Sequence, residues 1–263
     1  MKVASHADTD RVTLRSGLQI PIIGFGTWQI RGGLAREAVF CALQEGYRHI
    51  DTATLYGNER EVGRALINSG LYREELFLTT KLQPNEQSVR RAIERSLAEL
   101  QVDYVDLWLI HWPPAGEASR SLYREMLAVR DEGLARAIGV SNYSIEEIDD
   151  LTIATGDAPE VNQIRWSPFL HNPGQQRELD HRHIILEGYS PLKNSRLDDP
   201  VLVEIAAANR VTPAQVVLRW HVEHRIVVIP KAVQPQRIAQ NFDVLGFSLD
   251  AESMQRLDEL SSR

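Results

Sequence analysis

Short apolar runs recur along the chain, and each is followed by a longer segment in which apolar and polar positions alternate with helical spacing. The first piece, Arg11 to Pro21, predicts a β-hairpin that turns at Ser16-Gly17. Eight runs follow it, namely Ile22–Gly26, Tyr47–Asp51, Leu76–Thr80, Val105–His111, Arg136–Ser141, Glu160–Gln163, Ile184–Tyr189 and Ile226–Pro230. Several are apolar almost throughout, which is typical of strands that are buried on both faces of a parallel sheet.

The segments between the runs predict amphipathic helices. Val89, Ile93 and Leu97 fall on one side of such a helix. Pro213 suits the first turn of another helix, with Thr212 as its cap. Eight strands that alternate with helices indicate a parallel α/β fold. An open doubly wound sheet has the same alternation, and the count of eight favours a (β/α)₈ TIM barrel, which we expect to form one domain over residues 1–263.

Composition and charge narrow the functional classes. The chain has 263 residues, of which 43% are hydrophobic and 25% charged, as in ordinary globular proteins. The net charge of −7, without a long basic run, argues against a nucleic-acid partner. No apolar stretch is long enough to span a membrane, and Met1 to Asp10 lacks the apolar core of a signal peptide. We therefore expect a cytoplasmic protein without membrane contact, and a monomer because nothing marks a dimer surface.

Polar residues lie where the predicted strands end, which is where a TIM barrel carries its chemistry. A single such residue means little, since every strand must return to water. Here seven consecutive runs end on polar positions, and Tyr56 lies in the loop after the second run. The residues at these ends are Asp51, Lys81, His111, Ser141-Asn142, Asn162-Gln163, Tyr189-Ser190 and Pro230-Lys231.

Asp51, Tyr56, Lys81 and His111 form a usable set for proton transfer. A free tyrosine has a pKa near 10 and is a poor acid at neutral pH, but a neighbouring cation lowers that pKa. Lys81 supplies such a cation, Asp51 can hold it charged and oriented, and His111 can bond the substrate oxygen. These four residues predict a site that protonates an oxygen as negative charge grows on it.

A phosphate site is predicted at the last strand. Lys231 closes that strand, and a helix is expected to begin near Pro235 with Arg237 in its first turn. The loops after strands seven and eight are the usual phosphate site of this barrel, and a helix N-terminus adds backbone donors. Arg237 adds a guanidinium that can bind phosphate through two hydrogen bonds.

The chain resembles the aldo-keto reductases over nearly its full length, from Val12 to Leu260. Each matching segment is short, but together, in order and at strand ends, they are highly specific. The segments are Gly24-Phe25-Gly26-Thr27-Trp28, Asp51-Thr52-Ala53, Tyr56-Gly57-Asn58-Glu59, Thr80-Lys81, Leu109-Ile110-His111-Trp112, Ile138-Gly139-Val140-Ser141-Asn142, Val161-Asn162-Gln163, Tyr189-Ser190-Pro191-Leu192 and Ile229-Pro230-Lys231.

The resemblance implies a (β/α)₈ barrel closed at the bottom by an N-terminal hairpin, and reduction of aldehydes or ketones by hydride transfer from NADPH. It makes Tyr56 the general acid, tuned by Lys81 and Asp51, with His111 orienting the carbonyl. It assigns the substrate mouth to Trp28 and Trp112, beside Tyr56 and His111. NADPH would be bound without a Rossmann fingerprint, and the sequence has no G-x-G-x-x-G.

The resemblance also divides the cofactor among named residues. Tyr189 would stack on the nicotinamide, and Ser141, Asn142 and Gln163 would bond its carboxamide. Lys231 and Arg237 would hold the 2′-phosphate, while Gln240 and Asn241 would reach the adenine. The full set of implied cofactor contacts is Gly26, Thr27, Ser141, Asn142, Gln163, Tyr189, Ser190, Leu192, Lys231, Ala232, Val233, Arg237, Gln240 and Asn241.

The chain departs from the family pattern at three places. Ala232 stands where the family often has Ser, which removes one hydroxyl donor to the 2′-phosphate. NADPH is still favoured because Lys231 and Arg237 carry the charge, and NADH is the weaker alternative. Gln240 replaces a frequent Glu, and Arg165 to Pro168 replaces the His-Pro pattern after the sixth strand.

Two other functions remain open from the sequence. A cofactor-sensing regulatory subunit would bind NADPH without turnover, although the chain keeps all four catalytic residue types. A metal-assisted hydrolase would use Asp51 and His111, but it needs more ligands than the strand ends offer. His221 and His224 lie three residues apart and do not complete a zinc shell, so we expect no metal.

Overall fold

Eight parallel strands form the centre of the protein in a computed structural model that describes residues 10–193 and 195–262. They pair in chain order. Gly24 N donates to the carbonyl of Val228 at 2.9 Å, which joins the first strand to the last and nearly closes the barrel. The strands are β3 (Phe25–Gly26), β4 (His49–Asp51), β5 (Phe77–Leu82), β6 (Val105–Ile110), β7 (Ala135–Ser141), β8 (Val161–Arg165), β9 (Ile185–Tyr189) and β10 (Val227–Ile229).

The predicted TIM barrel is therefore confirmed, but several strand ends differ from the pattern. Lys81 lies inside β5, which continues to Leu82 because Leu82 pairs with Ile110. Strand β8 runs two residues beyond Gln163, since Arg165 pairs with Tyr189. Lys81 and Gln163 both bond Asp51 inside the barrel, so a polar side chain was not a reliable mark of the strand end.

Ten α-helices accompany the strands within the described residues. Thr212 forms a capping box with Gln215 at the start of the eighth helix, as its sequence predicted. The helices are α1 (Gly33–Glu45), α2 (Glu59–Ser69), α3 (Val89–Leu100), α4 (Glu117–Asp131), α5 (Ile145–Thr155), α6 (Pro173–His181), α7 (Pro200–Asn209), α8 (Pro213–Glu223), α9 (Pro235–Phe242) and α10 (Ala251–Asp258). Short 3-10 helices cover Thr54–Tyr56, Arg73–Glu75, Pro168–Leu170 and Glu259–Ser262.

The N-terminal hairpin is present, with β1 (Arg11–Thr13) antiparallel to β2 (Gln19–Pro21). Its turn is attached to the barrel through Ser16, whose backbone N–H and hydroxyl both donate to Glu160 Oε2 at 3.0 Å. Glu160 directly precedes β8, so the hairpin lies at the end of the barrel where the strands begin. This end is opposite the carboxyl ends of the strands.

Within the described part of the chain, no single helix is long and apolar enough to cross a membrane. Helices α7 and α8 meet that test of length and composition only as a pair, which is bent by 86°. Val201, Leu202, Val217 and Leu218 of this pair are buried inside the protein. Most of the N-terminal segment, for which the sequence predicts no signal peptide, lies outside the described residues.

Candidate active site

A cavity of about 270 Å³ opens at the carboxyl ends of the barrel strands. Its wall includes Asp51 from β4, Tyr56 from the loop that follows, and His111 from the end of β6. Trp28 and Trp112 lie at the same cavity and are partly exposed. The structure thus brings the predicted proton-transfer residues and the predicted substrate mouth to one place.

Lys81 and Asp51 form a buried ion pair beneath this cavity. The Lys81 ammonium lies 2.6 Å and 2.7 Å from the two carboxylate oxygens of Asp51, and it also donates to the Thr52 carbonyl at 2.9 Å. Burial raises the pKa of Asp51, although the adjacent Lys81 opposes that rise. Burial lowers the pKa of Lys81, but the charges of Asp51 and Tyr56 outweigh it, so the net shift is upward. The ammonium is therefore held in its charged form.

The hydroxyl of Tyr56 lies 3.4 Å from this ammonium. Tyr56 ends a short 3-10 helix, and Gly57 then turns the chain with a φ of 63°, a conformation that glycine adopts without strain. The expected lowering of the Tyr56 pKa is wrong as a net direction. Burial raises the pKa of Tyr56, because desolvation of the phenolate outweighs the attraction of Lys81. The phenol stays protonated, which is the form that a general acid requires.

His111 presents a neutral imidazole to the same cavity. Its ring packs edge-on to Tyr56, with centroids 5.7 Å apart. Burial, with a smaller effect of the Lys81 charge, lowers the pKa of His111 to about 3. Its buried Nδ1 has no hydrogen-bond partner among the described residues. The ring can therefore offer a neutral hydrogen bond at neutral pH.

The residues predicted to bind a carboxamide form one hydrogen-bond network. The Tyr189 hydroxyl donates to Asn142 Oδ1 at 2.8 Å, and Asn142 Nδ2 donates to the His111 carbonyl at 3.2 Å. Ser141 Oγ donates to the Gln163 carbonyl at 2.8 Å. Gln163 Nε2 in turn donates to Asp51 Oδ2 at 2.8 Å. The network thus connects these polar groups to the buried ion pair.

A second cavity, of about 680 Å³, shares Trp28, Ser190, Lys193 and Lys231 with the first. The two together form a long cleft over the end of the barrel. Most of the predicted cofactor residues from β9 to α9 line the second cavity, namely Ser190, Leu192, Lys231, Ala232, Val233, Arg237, Gln240 and Asn241.

Gly26 and Thr27 differ in their position relative to this cleft. Gly26 lines the first cavity, and a Cβ there would lie 2.9 Å from the Ile229 carbonyl. Thr27 is fully buried, its N–H donates to the Asp51 carbonyl at 3.0 Å, and it lines neither cavity. Of these two implied cofactor contacts, only Gly26 therefore lines the cleft.

Lys231 and Arg237 are exposed beside the second cavity. Neither makes an ion pair with any carboxylate in residues 10–193 or 195–262. Arg237 lies in the first turn of α9, as the sequence predicted. Two cations without acidic partners, next to a helix start, provide a suitable place for a phosphate group.

The sequence predictions covered only polar residues at strand ends, and they therefore missed polar residues inside the barrel. His49 in β4 and Glu187 in β9 are fully buried, and His49 Nε2 lies 3.7 Å from Glu187 Oε1. Burial, with repulsion from Asp51, raises the pKa of Glu187 to about 8. The sequence did contain a sign of these buried polar residues, because both stand within otherwise apolar runs. Arg165 and Lys193, which line the first cavity, were likewise not predicted as site residues.

A cluster of His171, His224, Trp220 and Asp258 lies outside the cleft, and the sequence predictions did not include it. His224 Nε2 lies 2.8 Å from Asp258 Oδ1, and His171 Nδ1 lies 3.6 Å from the same oxygen. Trp220 Nε1 donates to that oxygen at 2.7 Å. His221 instead contacts the Val217 carbonyl at 2.8 Å, so the two histidines three residues apart do not act together.

The chain is similar in sequence and structure to known aldo-keto reductases. Residues 22–262 match the sequence model of the Aldo/keto reductase family. An aldo-keto reductase of Mycolicibacterium smegmatis is 44% identical over 261 residues, which cover 96% of this chain and 94% of the relative. The methylglyoxal reductase DkgA of Yersinia pestis is 42% identical over 258 residues, covering 95% and 92%. The crystal structure of an aldo/keto reductase from Brucella melitensis superposes with a TM-score of 0.92 at 40% identity, covering 95% of this chain and 98% of that one.

Proposed function

Because the chain belongs to the aldo/keto reductase family, whose members reduce carbonyls to alcohols, we propose that it reduces aldehydes or ketones with NADPH and that Tyr56 donates the proton. The observation that carries this proposal is the Tyr56 hydroxyl, which lines the cavity 3.4 Å from the buried Lys81 ammonium. A phenol beside a fixed cation can give up its proton as charge grows on a substrate oxygen.

The four residues divide the proton transfer between them. Tyr56 gives its proton to the carbonyl oxygen, and the Lys81 ammonium stabilises the phenolate that remains. Asp51 keeps Lys81 charged and in place. His111, which is neutral because its pKa lies near 3, donates a hydrogen bond that orients the carbonyl.

NADPH supplies the hydride when it is bound. The chemistry of the second cavity fits this cofactor, because Lys231 and Arg237 offer a 2′-phosphate two cations that have no carboxylate partner in the described part of the chain. Ser141, Asn142 and Gln163 offer the amide and hydroxyl groups that suit a carboxamide, and Tyr189 offers an aromatic face. We assign further cofactor contacts to residues that line the two cavities, namely Gly26, Ser190, Leu192, Ala232, Val233, Gln240 and Asn241. Thr27, which the resemblance also implies, is buried and lines neither cavity. NADH is the weaker alternative.

The proposal is tested by following NADPH consumption with a panel of small aldehydes and ketones. The wild type is compared with Tyr56→Phe, which lacks only the acidic hydroxyl. Tyr72→Phe is the matched control, since Tyr72 is 78% exposed and lies outside both cavities. The wild type and Tyr72→Phe should turn over at similar rates. Turnover by Tyr56→Phe should be about 10²–10⁴-fold slower, the usual contribution of a general acid.

Two outcomes would contradict this assignment. Undiminished turnover in Tyr56→Phe would exclude Tyr56 as the proton donor. Saturable NADPH binding by the wild type without turnover of any carbonyl would favour a cofactor-sensing regulatory protein.

A further inference from the structure

Arg165 is exposed and lines the cavity that contains Tyr56 and His111. Arg165 is the last residue of β8 and pairs with Tyr189. Gln163, two residues earlier, reaches Asp51 inside the barrel. Alternate residues of a strand share a face, so Arg165 lies on the same inner side as Gln163, about 7 Å further toward the mouth.

This guanidinium has no partner of its own. No ion pair or hydrogen bond joins the side chain of Arg165 to any other residue in the ranges 10–193 and 195–262. Two arginines outside the barrel behave differently: Arg120 on α4 and Arg182 directly after α6 each bind both oxygens of an aspartate. Asp51 is the one carboxylate in the described wall of this cavity, and Lys81 already holds it. Arg165 is therefore available to a ligand.

A second cation lies at the same mouth. The Lys193 ammonium is 4.6 Å from the ring centroid of Trp28, and both residues line the cavity. The charge at the cavity is thus positive, although the whole chain carries a net charge of −7. Such a local field attracts anions and opposes the approach of cationic compounds.

We propose that the substrate is an oxo acid, a carbonyl compound whose carboxylate binds Arg165 while its carbonyl oxygen reaches Tyr56. This proposal rests on the proposed carbonyl reduction. The planar guanidinium matches a carboxylate through two parallel hydrogen bonds, and no other unpaired arginine lines this cavity within the described residues. The carboxylate is unchanged in the reaction, in which the carbonyl carbon gains a hydride and its oxygen gains a proton.

The test compares 4-formylbenzoate with its uncharged methyl ester, because the pair differs in charge at one end and keeps the same aldehyde. The ratio of kcat/KM for the acid over the ester is measured with NADPH. Arg165→Gln removes the cation and keeps a polar side chain. Arg177→Gln is the control for the loss of one positive charge, since Arg177 is exposed on α6 and lies outside the cavity.

The wild type and Arg177→Gln should prefer the acid. In Arg165→Gln the acid-to-ester ratio should fall about 10–100-fold, as expected for the loss of a charge-assisted hydrogen-bonded pair. The wild-type preference should also shrink as sodium chloride is raised, because salt screens an exposed pair.

An acid-to-ester ratio that stays the same in Arg165→Gln would overturn the inference while leaving the reductase function intact. Wild-type reduction of the ester with no preference for the acid would have the same meaning. If neither compound nor any neutral aldehyde is reduced, the proposed function fails and the substrate class fails with it.

Discussion

Lys81 and Asp51 face each other inside the barrel with both carboxylate oxygens within 2.7 Å of the ammonium. Neither side chain is more than 2% exposed. The Thr52 carbonyl and the Gln163 amide complete their hydrogen bonds. The pair thus places a positive charge next to Tyr56 that solvent cannot screen, and its energetics can be separated from its role in proton transfer.

Removing one member of this pair should destabilise the fold more than removing both. Lys81→Met leaves the Asp51 charge buried without a partner, which should lower the free energy of unfolding by about 3–5 kcal/mol. The double variant Lys81→Met with Asp51→Leu should recover much of that loss, because apolar residues often replace a buried pair at little cost. Both variants should lack reductase activity. Urea unfolding measures the stability, and a double variant no more stable than the single one would contradict the expectation.

Cofactor preference should depend on Lys231 and Arg237. The double variant Lys231→Ala with Arg237→Ala should weaken NADPH binding at least about tenfold more than NADH binding, since each cation can form a charge-assisted hydrogen bond with phosphate. Titration of both cofactors against the wild type measures the difference. Arg91→Ala, at an exposed position on α3, serves as the control. Equal losses for the two cofactors would show that these residues do not bind the 2′-phosphate.

The reduction rate should be nearly independent of pH between about 5 and 9. Burial lowers the pKa of His111 to about 3, so its imidazole stays neutral over this range, and burial raises the pKa of Tyr56, so its proton is present. The kcat/KM for carbonyl reduction, measured against pH, should fall only on the alkaline side as Tyr56 loses its proton. A transition near pH 6.5 that disappears in a His111 variant would contradict the neutral assignment.

Acid should destabilise the fold in part through His49. Burial lowers the pKa of His49 to about 3 from its ordinary 6.5, so the unfolded chain binds a proton that the folded chain excludes. Stability from this group is present above pH 6.5 and is lost as the pH falls toward 3, by up to about 5 kcal/mol.

The slope of unfolding free energy against pH between about 7 and 4 should therefore become shallower in His49→Gln, even if that variant is less stable overall. His181→Gln, at an exposed position on α6, should keep the wild-type slope. An unchanged slope in His49→Gln would mean that His49 does not resist protonation.

The barrel could be predicted because the residue patterns that indicate its strands, helices and turns are local in the sequence. Continuous apolar runs and the helical period of 3.6 residues are visible in single segments, and so are the hairpin turn at Ser16-Gly17 and the helix start at Thr212. The predicted positions of the strand ends were less accurate. Lys81 and Arg165 belong to strands although both are polar, because Lys81 is buried against Asp51 inside the barrel and Arg165 is exposed at the end of β8.

Residue pattern and family resemblance were sufficient to identify Asp51, Tyr56, Lys81 and His111 as neighbours, since parallel strands bring their carboxyl ends to one face. The contacts among those neighbours depended on the folded chain. Asp51 meets Lys81 from 30 residues away and Gln163 from 112 residues away. Barrel closure also sets the depth of burial, which reverses the expected direction of the Tyr56 pKa shift. It leaves Arg165 at the cavity with no side-chain partner among the residues that the structure describes. Desolvation and pairing depend on the three-dimensional surroundings of each group, which no local spacing of residues specifies.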